Sequence, residues 1–177
     1  VKSGVFMNEL KKHVREIVDF PIPGILFRDI TTVLKDSTAL RRAIDAMMDA
    51  ATDLEFDAIL GPESRGFIFG MPMAYNMSKG FVPVRKAGKL PAAVASKEYA
   101  LEYGTATIEI HRDAINPGQK FILVDDLLAT GGTAAATCDL IKEMGGVVVA
   151  QIYFIELAEL GGRDRLAGHD IRAVLKY

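Results

Sequence analysis

Cysteine occurs once in the 177 residues, at position 138. No intrachain disulfide can form, and a reducing compartment, the cytoplasm, is the expected setting. No apolar run approaches the roughly 18 residues that cross a bilayer. The longest, Val147 to Ile155, is interrupted by Gln151 and reads as a buried strand, so no membrane partner is expected. No signal peptide is read. Val1–Phe6 precede Met7, which is expected to be the natural start. Charge of one sign is also lacking. The formal net charge of −2 excludes a global basic field for nucleic acid, though not a local patch for a small anion. His13, His111 and His169 stand apart, with no ligand spacing such as HExxH, so no protein-bound zinc is expected. Neither GxxxxGK[ST] nor GxGxxG occurs, which excludes a Walker loop and a dinucleotide fingerprint. Internal repeats, low-complexity tracts and linkers are absent as well.

What is there suits one globular domain spanning residues 1–177. Lys11 to Ile17 and Thr38 to Ala51 read as helices. In the second, Leu40, Ala43, Ile44, Met47, Met48 and Ala51 share one face, and Asp36 or Ser37 is placed to cap it. Short continuous apolar runs at Phe56–Leu60, Phe81–Val84, Phe121–Asp125 and Val147–Ile155 read as strands buried on both faces. Between them Phe67–Met77 and Ala134–Met144 read as helices, the latter stopped by Gly145-Gly146. This alternation predicts an α/β fold with a parallel, twisted sheet flanked by helices. Thr105–His111 (TATIEIH) alternates with period two and predicts a half-exposed antiparallel strand.

The chemistry concentrates in FILVDDLLATGGT, residues 121–133. A parallel sheet binds ligands beyond the carboxyl ends of its strands. Ala129-Thr130-Gly131-Gly132-Thr133 lies between such an end and a helix start, where free N–H groups and the helix dipole attract an anion. By size it is a cradle for one phosphate. From the loop alone an ordinary capped strand-to-helix turn fits equally well. The adjacent carboxylates Asp125 and Asp126 favour a ligand, because acids beside an anion site repel unless something needs them. A sugar phosphate supplies the need. Its hydroxyls meet the carboxylates, its phosphate meets the amides, and the negative charge stabilises a developing oxocarbenium ion.

VDDLLATGGT resembles the phosphoribosyl pyrophosphate (PRPP) motif of the type I phosphoribosyltransferases, in the form found in adenine phosphoribosyltransferases. FPIPGILFRDIT (20–31), GPESRGFIFG (61–70), RKAGKLP (85–91) and YALEYGTATIEIH (99–111) resemble that family in the same order. The resemblance implies the type I fold, with a small N-terminal hood from residues 18–30 and a flexible catalytic loop at about 85–106. It implies a glycosyl transfer of purine salvage, in which adenine and PRPP give AMP and pyrophosphate. Mg²⁺ would be carried mainly on PRPP oxygens, and the protein would be a homodimer. Carried onto this chain, Ala129, Thr130, Gly131, Gly132 and Thr133 hold the 5′-phosphate, and Asp125 and Asp126 hold or face the ribose. Their separate roles stay open, one serving Mg²⁺ or the structure. Arg65, Arg85, Lys86 and Lys89 contact pyrophosphate. Glu63 stands where the family often has aspartate. Glu102, beside Tyr103, is the candidate acid/base for the adenine N9 proton, with Glu98 its nearest rival. Leu26, Phe27 and Arg28 belong to the adenine hood, and Glu156 and Leu157 close the base pocket from the other side. Two rival functions remain: transfer to an oxopurine, which the PRPP loop does not exclude, and a PRPP-sensing regulator that binds without reacting.

Overall fold

A computed structural model of the chain describes residues 2–101 and 104–177. Helix α1 (Lys2–His13) is followed by an antiparallel hairpin of β1 (Arg15–Val18) and β2 (Leu26–Asp29). The helix expected over Lys11 to Ile17 therefore ends at His13, and its second half is a strand. Cross-strand charge supplies the reason. The register sets Arg15 opposite Asp29 and Glu16 opposite Arg28. Arg15 Nε donates to Asp29 Oδ2 at 2.9 Å, and Arg28 pairs with Glu16. Each such pair contributes about 0.2–1 kcal/mol to an antiparallel ladder.

A short helix α2 (Thr31–Leu34) leads to α3 (Ser37–Asp49). Asp36 is its cap: one carboxylate oxygen accepts from the N–H groups of Thr38 and Ala39 at 3.0 and 2.8 Å. The chain then runs through β3 (Ala58–Pro62), α4 (Arg65–Asn76), β4 (Gly80–Lys86), β5 (Val94–Ala100), β6 (Thr105–His111), β7 (Lys120–Leu128), α5 (Gly132–Glu143), β8 (Val147–Glu156), α6 (Gly162–Arg165) and β9 (Ile171–Lys176). Among the described residues these strands form a seven-stranded sheet in the order β5-β6-β4-β3-β7-β8-β9. β3 pairs parallel with β4 and β7, β7 with β8, and β8 with β9. β6 runs antiparallel to both β4 and β5, as its alternating sequence implies.

Three expectations shift. The first strand lies two residues later than Phe56–Leu60. The strand expected to end at Asp125 continues to Leu128, so both acids lie inside β7. The segment 85–106, read as one mobile loop, contains β5, each residue of which has a partner in β6. No helix among the described residues is long and apolar enough to cross a membrane.

Two cores cover the two faces of the sheet. Leu10, Met47, Phe69 and Met73 from the helices meet Ile122, Val124, Ile152 and Phe154 on one side. Leu140 and Ile141 meet Phe121, Leu123 and Tyr153 on the other. Residues 121 to 124 thus alternate between the cores, as a strand buried on both faces requires. Across the acids the alternation loses its phase: Leu127 packs with the first core and Leu128 with the second.

Candidate active site

β3 feeds α4 and then β4 on one side, whereas β7 feeds α5 and then β8 on the other. The boundary between β3 and β7 is therefore the switch point of the sheet, where open α/β folds bind ligands. A cavity of about 500 Å³ opens there. Pro62, Glu63 and Arg65 line it from the β3 side, and residues 125–134 line it from the β7 side. Tyr99, Ala100 and Leu101 reach it from β5 and the residue after it, and Tyr153 and Arg165 from β8 and α6.

The loop at 129–133 has the form a phosphate needs. Gly131 is the residue before α5 and has φ +76°, a left-handed conformation that glycine adopts without strain. No side chain caps α5. The first N–H bonded back into the helix is that of Ala135, to the carbonyl of Gly131 at 2.9 Å. The preceding amides are thus available to an anion at the positive end of the helix dipole. The Thr133 hydroxyl is 3.0 Å from the Tyr99 hydroxyl.

Asp125 and Asp126 line the same cavity. The N–H of Asp126 donates to Asp125 Oδ1 at 2.9 Å. Burial, and then the charge of Asp126, hold the Asp125 carboxyl well above the usual aspartate range. Burial also raises Asp126, and Arg65, whose Nε is 3.0 Å from Asp126 Oδ2, pulls against that rise. Two buried acids that resist ionising together are a site for something positive. Beneath them the Tyr153 hydroxyl donates to Gln151 Oε1 at 2.6 Å, and Gln151 Nε2 donates to Cys138 Sγ at 3.3 Å. Burial pushes the Cys138 thiol up to about 12, which suits a packed side chain and not a nucleophile.

The structure therefore brings Arg65, Asp125, Asp126 and residues 129–133 into one cavity. The remaining basic residues lie outside its lining. Arg85 Nε donates to Glu63 Oε2, and the Lys86 N–H donates to the same oxygen at 3.1 Å. Burial would raise Glu63, but the Arg85 hydrogen bond and the Lys86 amide outweigh it and hold the carboxylate below its usual range. Arg85 thus reaches the site through Glu63, while Lys86 and Lys89 are exposed. Leu26, Phe27 and Arg28 lie on β2 of the hairpin, away from the cavity lining. Phe27 packs edge-on against Phe20, and the Arg28 guanidinium stands 4.0 Å over the Tyr177 ring. Glu156, carried over as part of the base pocket, is buried and held by Arg163, which donates to its two oxygens at 2.8 and 2.6 Å. Glu102 and Tyr103 lie outside the described residues.

Sequence reasoning missed Tyr99, Tyr153 and Arg165. Tyr153 was hidden in an apolar run, Tyr99 in a presumed loop, and Arg165 in a four-residue helix with no motif.

Comparison with known proteins identifies the family. Residues 31–166 match the model of the phosphoribosyl transferase domain family. The adenine phosphoribosyltransferase of Lachnoclostridium phytofermentans is 56% identical over 171 residues, covering 97% of this chain and 98% of that protein. The crystal structure of adenine phosphoribosyltransferase from Thermoanaerobacter pseudethanolicus superposes with a TM-score of 0.94 at 51% identity, covering 97% of this chain and 99% of the other. The Saccharomyces cerevisiae enzyme, solved with an imino-altritol bisphosphate and adenine, gives 0.90 at 36% identity over 97% and 99% of the two chains. The chain belongs to the phosphoribosyltransferase family, among the adenine phosphoribosyltransferases.

Proposed function

We propose that the cavity between β3 and β7 joins adenine to ribose 5-phosphate with each residue group acting on one part of the substrate. The overall reaction is that of the family: adenine and PRPP give AMP and pyrophosphate, a glycosyl transfer of purine salvage. The C1–oxygen bond to pyrophosphate breaks, a bond from C1 to adenine N9 forms, and the N9 proton leaves. The observation that carries the assignment is an uncapped helix start sharing one cavity with a pair of buried acids.

The 5′-phosphate lies on Ala129–Thr133, taking the free amides of α5 and the hydroxyls of Thr130 and Thr133. The ribose then extends toward Asp125 and Asp126. Their charge develops its full effect as C1 becomes cationic, which stabilises the transition state more than the ground state. Arg65 holds pyrophosphate, and Arg85, Lys86 and Lys89 form the positive wall toward which it departs. Adenine stacks below the hood at Leu26, Phe27 and Arg28. Glu102 exchanges the N9 proton, and Tyr103 adjoins it. The carboxylate pair also fits Mg²⁺ carried on PRPP, since a cation would offset the burial that raises both acids and the charge of Asp126 that raises Asp125 further. When bound, Mg²⁺ would neutralise charge on the leaving pyrophosphate, with Asp125 and Asp126 facing it.

We place the enzyme in the cytoplasm, a setting supported by its one free, buried thiol. We also infer a homodimer. Ile68, Met71 and Tyr75, three and four residues apart on α4, are 37%, 49% and 84% exposed, an apolar stripe suited to a second copy.

The test is product formation from PRPP and Mg²⁺ with adenine, hypoxanthine, guanine and xanthine offered separately. AMP from adenine alone is the expected result. Turnover of an oxopurine instead would keep the phosphate and acid assignments and overturn the base. PRPP binding with no base turned over would favour a regulator.

A further inference from the structure

The phosphate loop has a neighbour that no motif announces. α6 follows β8 and docks directly on the loop. At Gly162 the approach is so close that a Cβ would fall inside the van der Waals envelope of the Ala129 carbonyl oxygen, and 2.9 Å from Leu128 Cδ1. A Cβ on Gly131 would in turn lie 2.9 Å from the Gly162 carbonyl oxygen. Backbone therefore meets backbone on both sides of this contact, and only glycine at 162 permits it. The consequence is the placement of the last residue of α6. Arg165 lines the cavity, and its Nη1 lies 3.4 Å from where a Cβ of Gly132 would be. Its guanidinium stands over the loop at the point where the backbone carries no side chain.

Arg165 also differs from the arginines nearest the cavity in having no partner. Arg163, two residues earlier on the same helix, is bound to Glu156 and to the carbonyl of Ile171. Arg65 and Arg85 are paired with Asp126 and Glu63. Among the described residues the Arg165 side chain has no ion pair and no hydrogen bond. An exposed cation without a protein partner, standing beside a set of free amides, has the position and charge to bind a dianion.

We infer that Arg165 is a further binding residue for the 5′-phosphate of PRPP and AMP. It closes the cradle from the α6 side, opposite the amides of α5. The inference rests on the reading that residues 129–133 hold that phosphate. Phosphate prefers a planar guanidinium that donates two parallel N–H groups, so lysine would replace it only in part. Pyrophosphate, held on the β3 side by Arg65, would not feel the change.

The experiment is calorimetric titration of the whole protein with AMP and, separately, with pyrophosphate and Mg²⁺. Arg165→Gln, Arg165→Lys and the loop variant Thr130→Ala are compared with the wild type. Loss of one charge-assisted phosphate contact is expected to weaken AMP binding by roughly tenfold in Arg165→Gln, with Arg165→Lys in between. Pyrophosphate should bind each Arg165 variant within about twofold of the wild type. Unchanged AMP binding in Arg165→Gln, with weakened binding in Thr130→Ala, would overturn the role of Arg165 and leave the loop assignment standing. Unchanged AMP binding in both variants would overturn the loop assignment itself. Equal weakening of both ligands in Arg165→Gln would make the residue a structural one and overturn the inference.

Discussion

Gly162→Ala tests whether the docking of α6 sets the phosphate loop. The added methyl has no free volume: besides the Ala129 carbonyl oxygen it meets Leu128 Cδ1 at 2.9 Å and the Ala129 carbonyl carbon at 3.1 Å. Two of these neighbours are backbone, so no rotamer change relieves the contact. Loop and helix must separate by roughly 1 Å to restore ordinary contact distances. Overpacking of this kind costs about 1–3 kcal/mol. For a chain of this size each kcal/mol lowers Tm by about 2–4 °C, so a fall of roughly 2–12 °C is expected in thermal unfolding. The functional loss should be larger than the stability loss. Misplacing a substrate-positioning element by 1 Å can reduce rate about a hundredfold. Steady-state kinetics at saturating adenine should show the defect in kcat/KM for PRPP. A variant with wild-type Tm and kcat/KM within about twofold would refute the claim that this contact fixes the loop.

Asp125→Asn should stabilise the empty protein and disable it. Burial and the charge of Asp126 raise the Asp125 carboxyl, so the native state holds a proton that the unfolded chain releases. Native stability therefore falls as pH rises from the ordinary aspartate range through the raised pKa, and asparagine removes that cost. Denaturant titrations without PRPP or Mg²⁺ should show the variant gaining on the wild type from acid toward neutral pH, while turnover drops by about a hundredfold or more. Wild-type turnover in the Asp125→Asn/Asp126→Asn double variant would remove the carboxylate argument altogether. Arg163→Ala has the opposite sign. It leaves Glu156, only 4% exposed, without its bidentate partner. Breaking a buried pair costs about 3–5 kcal/mol, and since Arg163 is 41% exposed a loss nearer 2 kcal/mol is expected. The Arg163 hydrogen bond holds Glu156 below the usual glutamate range, so its contribution is present above that range and is lost as pH falls through the lowered pKa. The stability gap between wild type and variant should accordingly close on acidification.

Much of the fold was legible because its central strands declare themselves. Phe121–Val124 and Val147–Ile155 are apolar at every or nearly every position, which only burial on both faces explains. The helix over Ser37–Asp49 carried both its face and its cap in the sequence. What stayed hidden depends on partners distant in the chain. VASKEYA has no apolar pattern strong enough to name a strand; it becomes one by pairing with TATIEIH and by the contact of Lys97 with Glu143. Arg15–Val18 follows a helix without a breaker and turns to a strand because its charges match those of β2. In the site, residues 125–133 stood out together in the sequence, and they line one cavity. Tyr99, Tyr153 and Arg165 did not stand out, since each arrives from a different element and is placed only by the sheet order. The basic cluster at 85–89 shows the converse. Its charge was plain in the sequence, but the partner that ties Arg85 to the cavity, Glu63, becomes visible only when β3 and β4 pair side by side.

Acids next to a phosphate cradle present an electrostatic conflict, and the fold resolves it by position. Both carboxylates lie within β7, and Leu127 and Leu128 separate them from the loop along the lining of one cavity. The local loss of alternation matters here. A regular strand would send adjacent side chains to opposite faces, one into each core. Instead both acids meet the crevice, where Asp126 is partly compensated by Arg65 and Asp125 is held above its ordinary range by burial and then by its neighbour's charge. In the empty site the doubly ionised pair is the disfavoured state. On the proposed roles, a substrate that becomes cationic at C1 during transfer would make it the favoured one. On those roles the arrangement would interact more strongly with the transition state than with either ground state, which is the condition for raising rate rather than merely tightening binding. The cations around the cavity are shared unequally between the acids. Arg65 pairs with Asp126 and Arg85 with Glu63, so Asp125 is the acid of the two that has no ion pair among the described residues.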